Sequence, residues 1–245
     1  VLKTALMKIT EQHEIFRTEF RLLPGMSLPL QVIDGGGSLS VTECAWEEPD
    51  ELLLNARRDA RDIINVQLIK LRVDEHALVL TLPAMFGDPT GLRNLVAKLS
   101  SYYESILQGE PFVEESIQYA DLSEWQIDLL EAETAETGKE YWRKQDPAGR
   151  QALKLPYERE ATETSFSPQF VNLVVSDSTT KKIEALVEKY ETTADVFLLS
   201  CWQLLLSRLT EQSQIIIGTL FDGRNYQGLE SAFGLFARYL PVPAT

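Results

Sequence analysis

The chain has 245 residues, enough to bury a substantial core as one large domain or two smaller ones. Its formal net charge of -14, from 23 basic and 37 acidic residues, has the wrong sign for a nucleic-acid binder, whose ligand's phosphates would repel it. The longest apolar run, Val196 to Leu206, is too short to span a bilayer and reads as a buried helix.

Val1 to Gln12 places Leu2, Ala5, Leu6 and Ile9 on one helical face, so the chain starts inside an amphipathic helix. Val1 is not an initiator Met, which suggests an excised or trimmed piece, and no signal-peptide pattern opens it. Ile15 to Leu23 alternates like a strand with Phe16, Thr18, Phe20 and Leu22 on one face. Pro24-Gly25 is a turn, Leu28 to Ile33 a second strand, and Gly35-Gly36-Gly37 a loop without a phosphate-binding pattern. Leu39 to Ala45 reads as a third strand and Pro49 to Ile63 as a helix with an acidic start. Val66 to Val73 and His76 to Leu82 form a hairpin around Asp74-Glu75.

The stretch Leu78 to Leu92 organises the rest. Its aliphatic beginning suits a strand buried on both faces, and Asp88-Pro89 is a helix start: a carboxylate to cap an orphan N–H, then a ring pre-shaped for the first helical position. Leu92, Leu95, Val96 and Leu99 continue at helical spacing to a stop at Gly109. A strand end feeding a helix is where an α/β protein usually keeps its chemistry. In the turn from Pro83 to Asp88, only Asp88 has a side chain able to move a proton at neutral pH.

Tyr119 to Tyr141 reads as a helix with an acidic face of Asp121, Glu124, Asp128, Glu131, Glu136 and Glu140, either a solvated surface or a site for a metal or basic partner. Arg150 to Ser165 is a polar connector, and Phe170 to Val175 a strand. Ser178 to Tyr190 and Ala194 to Leu209 are helices, the second apolar nearly all round and so expected to be buried. Ile215 to Leu220 is a central strand, Phe221 to Gly228 a loop, and Phe233 to Leu240 extended. Cys44 and Cys201 have no metal spacing and are expected to be free core thiols in a reducing cytosol. There is no zinc pattern, no nucleophile elbow and no Cys/His signature. Strands alternating irregularly with helices give an α/β or α+β two-lobed protein.

Four stretches stand in order: Gln12 to Phe20; Tyr119 to Gln126 with Tyr141-Trp142; Ile217 to Arg224; and Phe233 to Pro241. They resemble, in turn, Arg-His-Glu-x-Leu-Arg-Thr-x-Phe, Tyr-x-Asp-(Tyr/Phe)-x-x-Trp-Gln…Tyr-Trp, Val-Gly-x-Pro-x-x-Gly-Arg and Ile-Gly-Phe-Phe-Val-Asn-Thr-Leu-Pro. These are motifs of the condensation domains of nonribosomal peptide synthetases, members of the chloramphenicol acetyltransferase-like acyltransferases. The resemblance implies a two-lobed α/β sandwich. It places the first, nearly complete lobe over 1-150, a connector over 151-164 and the beginning of a truncated second lobe over 165-245. It also implies a cytoplasmic assembly line for peptides or hybrid polyketide/peptides. The partners would be peptidyl and acyl carrier proteins, neighbouring synthetase domains and, as a further candidate, a tailoring enzyme. No cofactor would be bound directly; the phosphopantetheine arms belong to the carriers.

The family's central motif, His-His-x-x-x-Asp-Gly, falls on Pro83 to Pro89, and Ala84 takes the place of the reaction-centre His. Pro83, Met85, Phe86 and Gly87 then border the implied substrate channel. The retained Asp88 is expected to pair with an arginine, Arg224 first and Arg17 second, or to serve as a weak base. Arg238 replaces the family's Asn. His13 at a helix-strand junction and His76, about 20 Å of extended chain from Ala84, are poor substitutes for the absent imidazole. Two readings follow. One is a condensation-like domain that docks carriers or a tailoring enzyme without catalysis. The other is an active condensation or acyltransferase domain that forms an amide from a carrier-bound thioester by substrate positioning without the His, using backbone N–H donors at the start of the Asp88 helix, with or without Asp88.

Overall fold

A computed structural model describes residues 1–33, 39, 41–45, 63–111, 117–145, 153–158 and 171–243. The Gly35-Gly36-Gly37 loop, the helix expected from Pro49, Phe170 and most of the polar connector lie outside the described residues. The chain divides into two compact units: Val1–Glu140 with Asp222–Arg238, and Tyr141–Phe221 with Tyr239–Thr245.

In the first unit, helix α1 (Leu2–Gln12) buries Ala5, Leu6 and Ile9. This is the stripe that its spacing dictates. That stripe lies in one core with Leu95, Leu99 and Tyr102 of α2 (Pro89–Gln108). Phe16, Val66, Phe86 and Phe233 join the same core. The alternation expected from Ile15 is broken at its start. Glu14–Arg17 is a 3₁₀ turn, which sends the consecutive Ile15 and Phe16 both inward, and strand β1 covers only Thr18–Arg21. β1 pairs antiparallel with β2 (Leu30–Ile33).

A second sheet has the order β3-β4-β5, with β3 (Val41–Ala45) parallel to β4 (Asn65–Arg72) and β5 (Glu75–Thr81) antiparallel to it. The strand leading to Pro83 is therefore the edge of this sheet among the described residues, not a strand buried on both faces. β4 takes the central place and buries Val66, Gln67 and Ile69.

The acidic helix is two helices, α3 (Tyr119–Glu131) and α4 (Glu136–Gln145), separated by Ala132 in an extended conformation and a short 3₁₀ turn. Asp128 and Glu131 sit at the carbonyl end of α3, where negative charge opposes the helix dipole, and Glu133 and Glu136 follow at once. Such a run favours a stop. Leu122 of α3 packs with Leu229, Ala232 and Phe236, so residues far apart in sequence close one apolar cluster.

The second unit holds α5 (Asp177–Lys189), α6 (Ala194–Thr210), β6 (Ile216–Phe221) and all but the first residue of β7 (Arg238–Pro243), β6 and β7 forming a two-stranded sheet. Three expectations are corrected here. Val171 to Val175 is not a strand, because it has no ladder partner among the described residues. Helix α6 is not buried: of its side chains only Leu206 is, and Cys201, expected in the core, is exposed. β6 has a single neighbour among the described residues instead of two, and so is not central there.

Candidate functional site

Strand β5 ends at Thr81, and the chain folds over itself from Pro83 to Phe86, where the Phe86 N–H donates to the Pro83 carbonyl at 2.9 Å. This turn sorts its side chains. Phe86 goes into the core and meets the Phe20 ring at 5.7 Å, whereas Ala84 and Met85 face outward. The outward face of the turn thus offers a methyl group and a thioether, with no acid, base or nucleophile.

Asp88 follows as the N-cap of α2, in extended conformation, with Pro89 at the first helical position and the Gly91 N–H donating to Oδ1 at 2.8 Å. Capping uses only part of this carboxylate. Arg224 donates to it in a bidentate fork, Nη2 to Oδ1 and Nη1 to Oδ2, each at 3.0 Å. The backbone N–H groups of Phe236 and Ala237 donate to Oδ2, each at 2.9 Å. Both members of the ion pair have side chains only 1% exposed. Burial would push the Asp88 carboxyl up, but the hydrogen bonds from Arg224, Gly91 and Ala237, with the guanidinium charge, outweigh it and hold the group below the ordinary carboxylate range.

Arg224 is equally committed. Nη1 also donates to Asp222 at 2.8 Å, while Nη2 and Nε donate to the Ala232 carbonyl. Its guanidinium carbon lies 4.6 Å from the centre of the Phe236 ring. All five of its N–H groups therefore have acceptors. The alternative partner, Arg17, lies elsewhere and donates to the Thr10 and Glu11 carbonyls at the end of α1.

The segment 222–238 is fastened at further points that the sequence did not reveal. Asn94 of α2 donates to the Glu230 carbonyl, and the Tyr119 hydroxyl donates to the Leu235 carbonyl. Gly234 has φ +136°, and a Cβ there would fall 2.0 Å from the Tyr119 ring, so the aromatic lies flat against bare backbone. Gly223, at φ +75°, would set a Cβ 2.4 Å from the Phe236 carbonyl oxygen. Both glycines lie inside family motifs, and close backbone approach is the reason for each. Gln118 bridges α1 to the 3₁₀ turn, donating to the Gln12 carbonyl and accepting from the Glu14 N–H.

Neither histidine belongs to the turn. His13 packs edge-on to Phe233, with ring centres 4.5 Å apart, and its Nε2 has no hydrogen-bond partner. Burial, with the nearby Lys98 charge, lowers its pKa to about 3, so it is neutral. His76 is the second residue of β5, paired opposite Lys70 and exposed. Arg238 donates to the Leu235 and Ala237 carbonyls. Among the described residues no group of His, Cys, Asp and Glu could hold a metal ion, and no helix is long and apolar enough to cross a membrane.

The profile of the condensation domain matches residues 1–245. The chain belongs to the condensation-domain family. Gramicidin S synthase 2 of Aneurinibacillus migulanus is 28% identical over 249 residues, which cover 98% of this chain and 5% of that synthetase. The first condensation domain of the calcium-dependent antibiotic synthetase, solved with a substrate analogue, superposes with a TM-score of 0.81 at 14% identity. It covers 99% of this chain, which spans 60% of that one. The X-domain from teicoplanin biosynthesis, solved in complex with OxyB, gives 0.76 at 24% identity, with 99% and 56% covered. These likenesses establish the chloramphenicol acetyltransferase-like α/β fold of condensation domains for this chain.

Proposed function

We propose that this chain is a condensation-like domain of a peptide or hybrid assembly line that has given up catalysis and serves to dock carrier proteins or a tailoring enzyme. One observation carries the reading: Ala84 and Pro83 occupy the family's His-His positions, and the retained acid, Asp88, accepts five N–H bonds and is spent on structure. A carboxylate held below its ordinary pKa by an arginine and the Gly91 and Ala237 N–H groups is a poor general base. The X-domain solved with OxyB supports a docking role by analogy of fold. Phosphopantetheine arms would reach the domain on its carrier partners; nothing in this reading needs a cofactor bound by the chain itself.

The competing reading is an active domain that works by positioning. An α-amine has a pKa of about 7.7–8.0, so a useful fraction is already nucleophilic near neutrality. Holding two reactants together can supply effective molarities of roughly 10⁵–10⁸ M, more than the ~10²–10⁴-fold of a general base. An amine acceptor would therefore survive the loss of the imidazole far better than a hydroxyl, a weak nucleophile without activation. The turn's outward methyl and thioether, with no polar group to replace the imidazole, favour the docking reading.

The test compares the native domain with Ala84→His, each given loaded donor and acceptor carriers, with amide product followed by mass spectrometry and carrier binding by calorimetry. Docking without catalysis predicts carrier binding with no product from the native domain. Product from the native protein at a family-like rate would refute it.

A further inference from the structure

Helix α2 carries two rows of side chains. Leu95, Leu99 and Tyr102 form its core stripe, and one position before each stand Asn94, Lys98 and Ser101. At 3.6 residues per turn, this second row lies about 100° round the helix from the first, along the edge of the core. The segment 222–238 meets the helix there: the Asn94 side-chain amide donates to the Glu230 carbonyl at 2.8 Å. Beside that contact is a cavity of about 230 Å³. Its floor is aromatic, from the buried Tyr102 and Phe233, and its rim is polar, from the half-buried Lys98 and the exposed Ser101 and Ser231. The Tyr102 hydroxyl is held by Gln12, and the Lys98 ammonium stands 5.7 Å from the centre of the Tyr102 ring. No residue of the Pro83–Asp88 turn lines the cavity.

We propose that this cavity binds a small carboxylate with an aromatic or compact apolar body, at a site separate from the turn at Ala84. Its volume is below the ~300–1,000 Å³ of drug-sized pockets, so it suits a ligand of the size of an amino acid or aryl acid. The aromatic floor takes the apolar body, and the rim offers an ammonium and two hydroxyls to the carboxylate oxygens. In a chain of net charge -14, none of the described residues lining the cavity is acidic. The Glu230 carboxylate accepts from the Gly228 N–H instead. The Lys98 charge also reaches His13, which packs on Phe233, and there it adds to burial in keeping the imidazole neutral. One lysine balances one negative charge. A phosphate group calls for a guanidinium fork or a helix N-terminus, and the N-terminus of α2 is already capped by Asp88. The proposal is independent of whether the domain catalyses.

The probe is benzoate, with benzamide as its neutral isostere, each titrated by calorimetry into the full chain. The expected result is saturable benzoate binding with a Kd on the order of 1 mM. Benzamide should bind about tenfold more weakly, the size of one charge-assisted hydrogen bond. Lys98→Gln should bring benzoate down to the benzamide level and leave benzamide unchanged, which a merely structural lysine would not do. Ala97 is an exposed helical residue on the cavity wall. Ala97→Leu should fill the space and abolish binding of both probes, without lowering the thermal midpoint of the unliganded protein, since leucine is a good helix former. Equal binding of the two probes by the native chain would overturn the proposal, as would benzoate affinity that neither substitution changes, or no saturation at tenfold higher concentration. Displacement of benzoate by an equal concentration of inorganic phosphate would also overturn it, by assigning the cavity to phosphate groups.

Discussion

Arg224→Met leaves the Asp88 carboxylate buried among three backbone N–H groups without its cation, and Asp88→Leu leaves the buried guanidinium with only the half-exposed Asp222 as counter-charge. Each single change is expected to cost about 3–5 kcal/mol in urea unfolding, because an uncompensated buried charge is worse than none. The double replacement should cost less than the two singles added together. Simple additivity would show that the pair is not coupled. The pH dependence has two parts, both of the same sign. Unfolded His13 takes up a proton near 6.5 but folded His13 only near about 3, so its contribution is complete above 6.5 and declines as pH falls through that interval. Asp88 adds a second decline that starts near its ordinary 3.8 and ends at its lower folded value. His13→Phe, which also removes the unpartnered Nε2, is expected to flatten the stability profile between pH 6.5 and 4 while leaving the steeper loss below 4. An unchanged profile would contradict the buried neutral imidazole. The ion pair was legible because a carboxylate before a helix proline and an arginine after Gly223 both carry strong side-chain signals. The Phe236 and Ala237 donors were not legible, since every residue but proline has an N–H and only the fold says which ones converge.

At the scale of elements, the fastening of 222–238 rests on close approach as much as on charge. Gly234→Ala must displace the Tyr119 ring and adopt φ +136° with a side chain, so it should destabilise by several kcal/mol, on the order of other strained non-glycine positions plus lost core contacts. Gly234→Ala combined with Tyr119→Leu should recover only part of that loss, because the backbone strain remains; full recovery, read from thermal midpoints, would argue that the ring alone fixed the glycine. Leu95→Ala, at the centre of the α1–α2 contact, is expected to cost about 2–5 kcal/mol. Helical periodicity announced α1, α2, α5 and α6 to within a few residues, since each bears a cap or a stripe that local chemistry writes directly. It failed where neighbours decide. The 3₁₀ turn at Glu14–Arg17, the stop after Glu131 and the edge position of β5 depend on packing and accumulated charge, not on period.

For the whole molecule, family and fold were readable because four motifs keep their order over nearly the whole chain, and each marks a place where segments distant in sequence meet. Asp222–Arg238 belongs to the first unit although more than eighty residues separate it from Glu140, and no local pattern announces such a return. The exposure of α6 was equally unreadable: composition says how apolar a helix is, not how much of it the described residues cover. Function is the scale at which, in the reading proposed above, the single position Ala84 outweighs the rest of the resemblance. The direct measurement is the rate of amide formation between loaded donor and acceptor carriers in the presence of the native domain, set against the same carriers alone. A docking domain without catalysis gives equal rates with demonstrable carrier binding; a protein-dependent acceleration of about a thousandfold or more would contradict it.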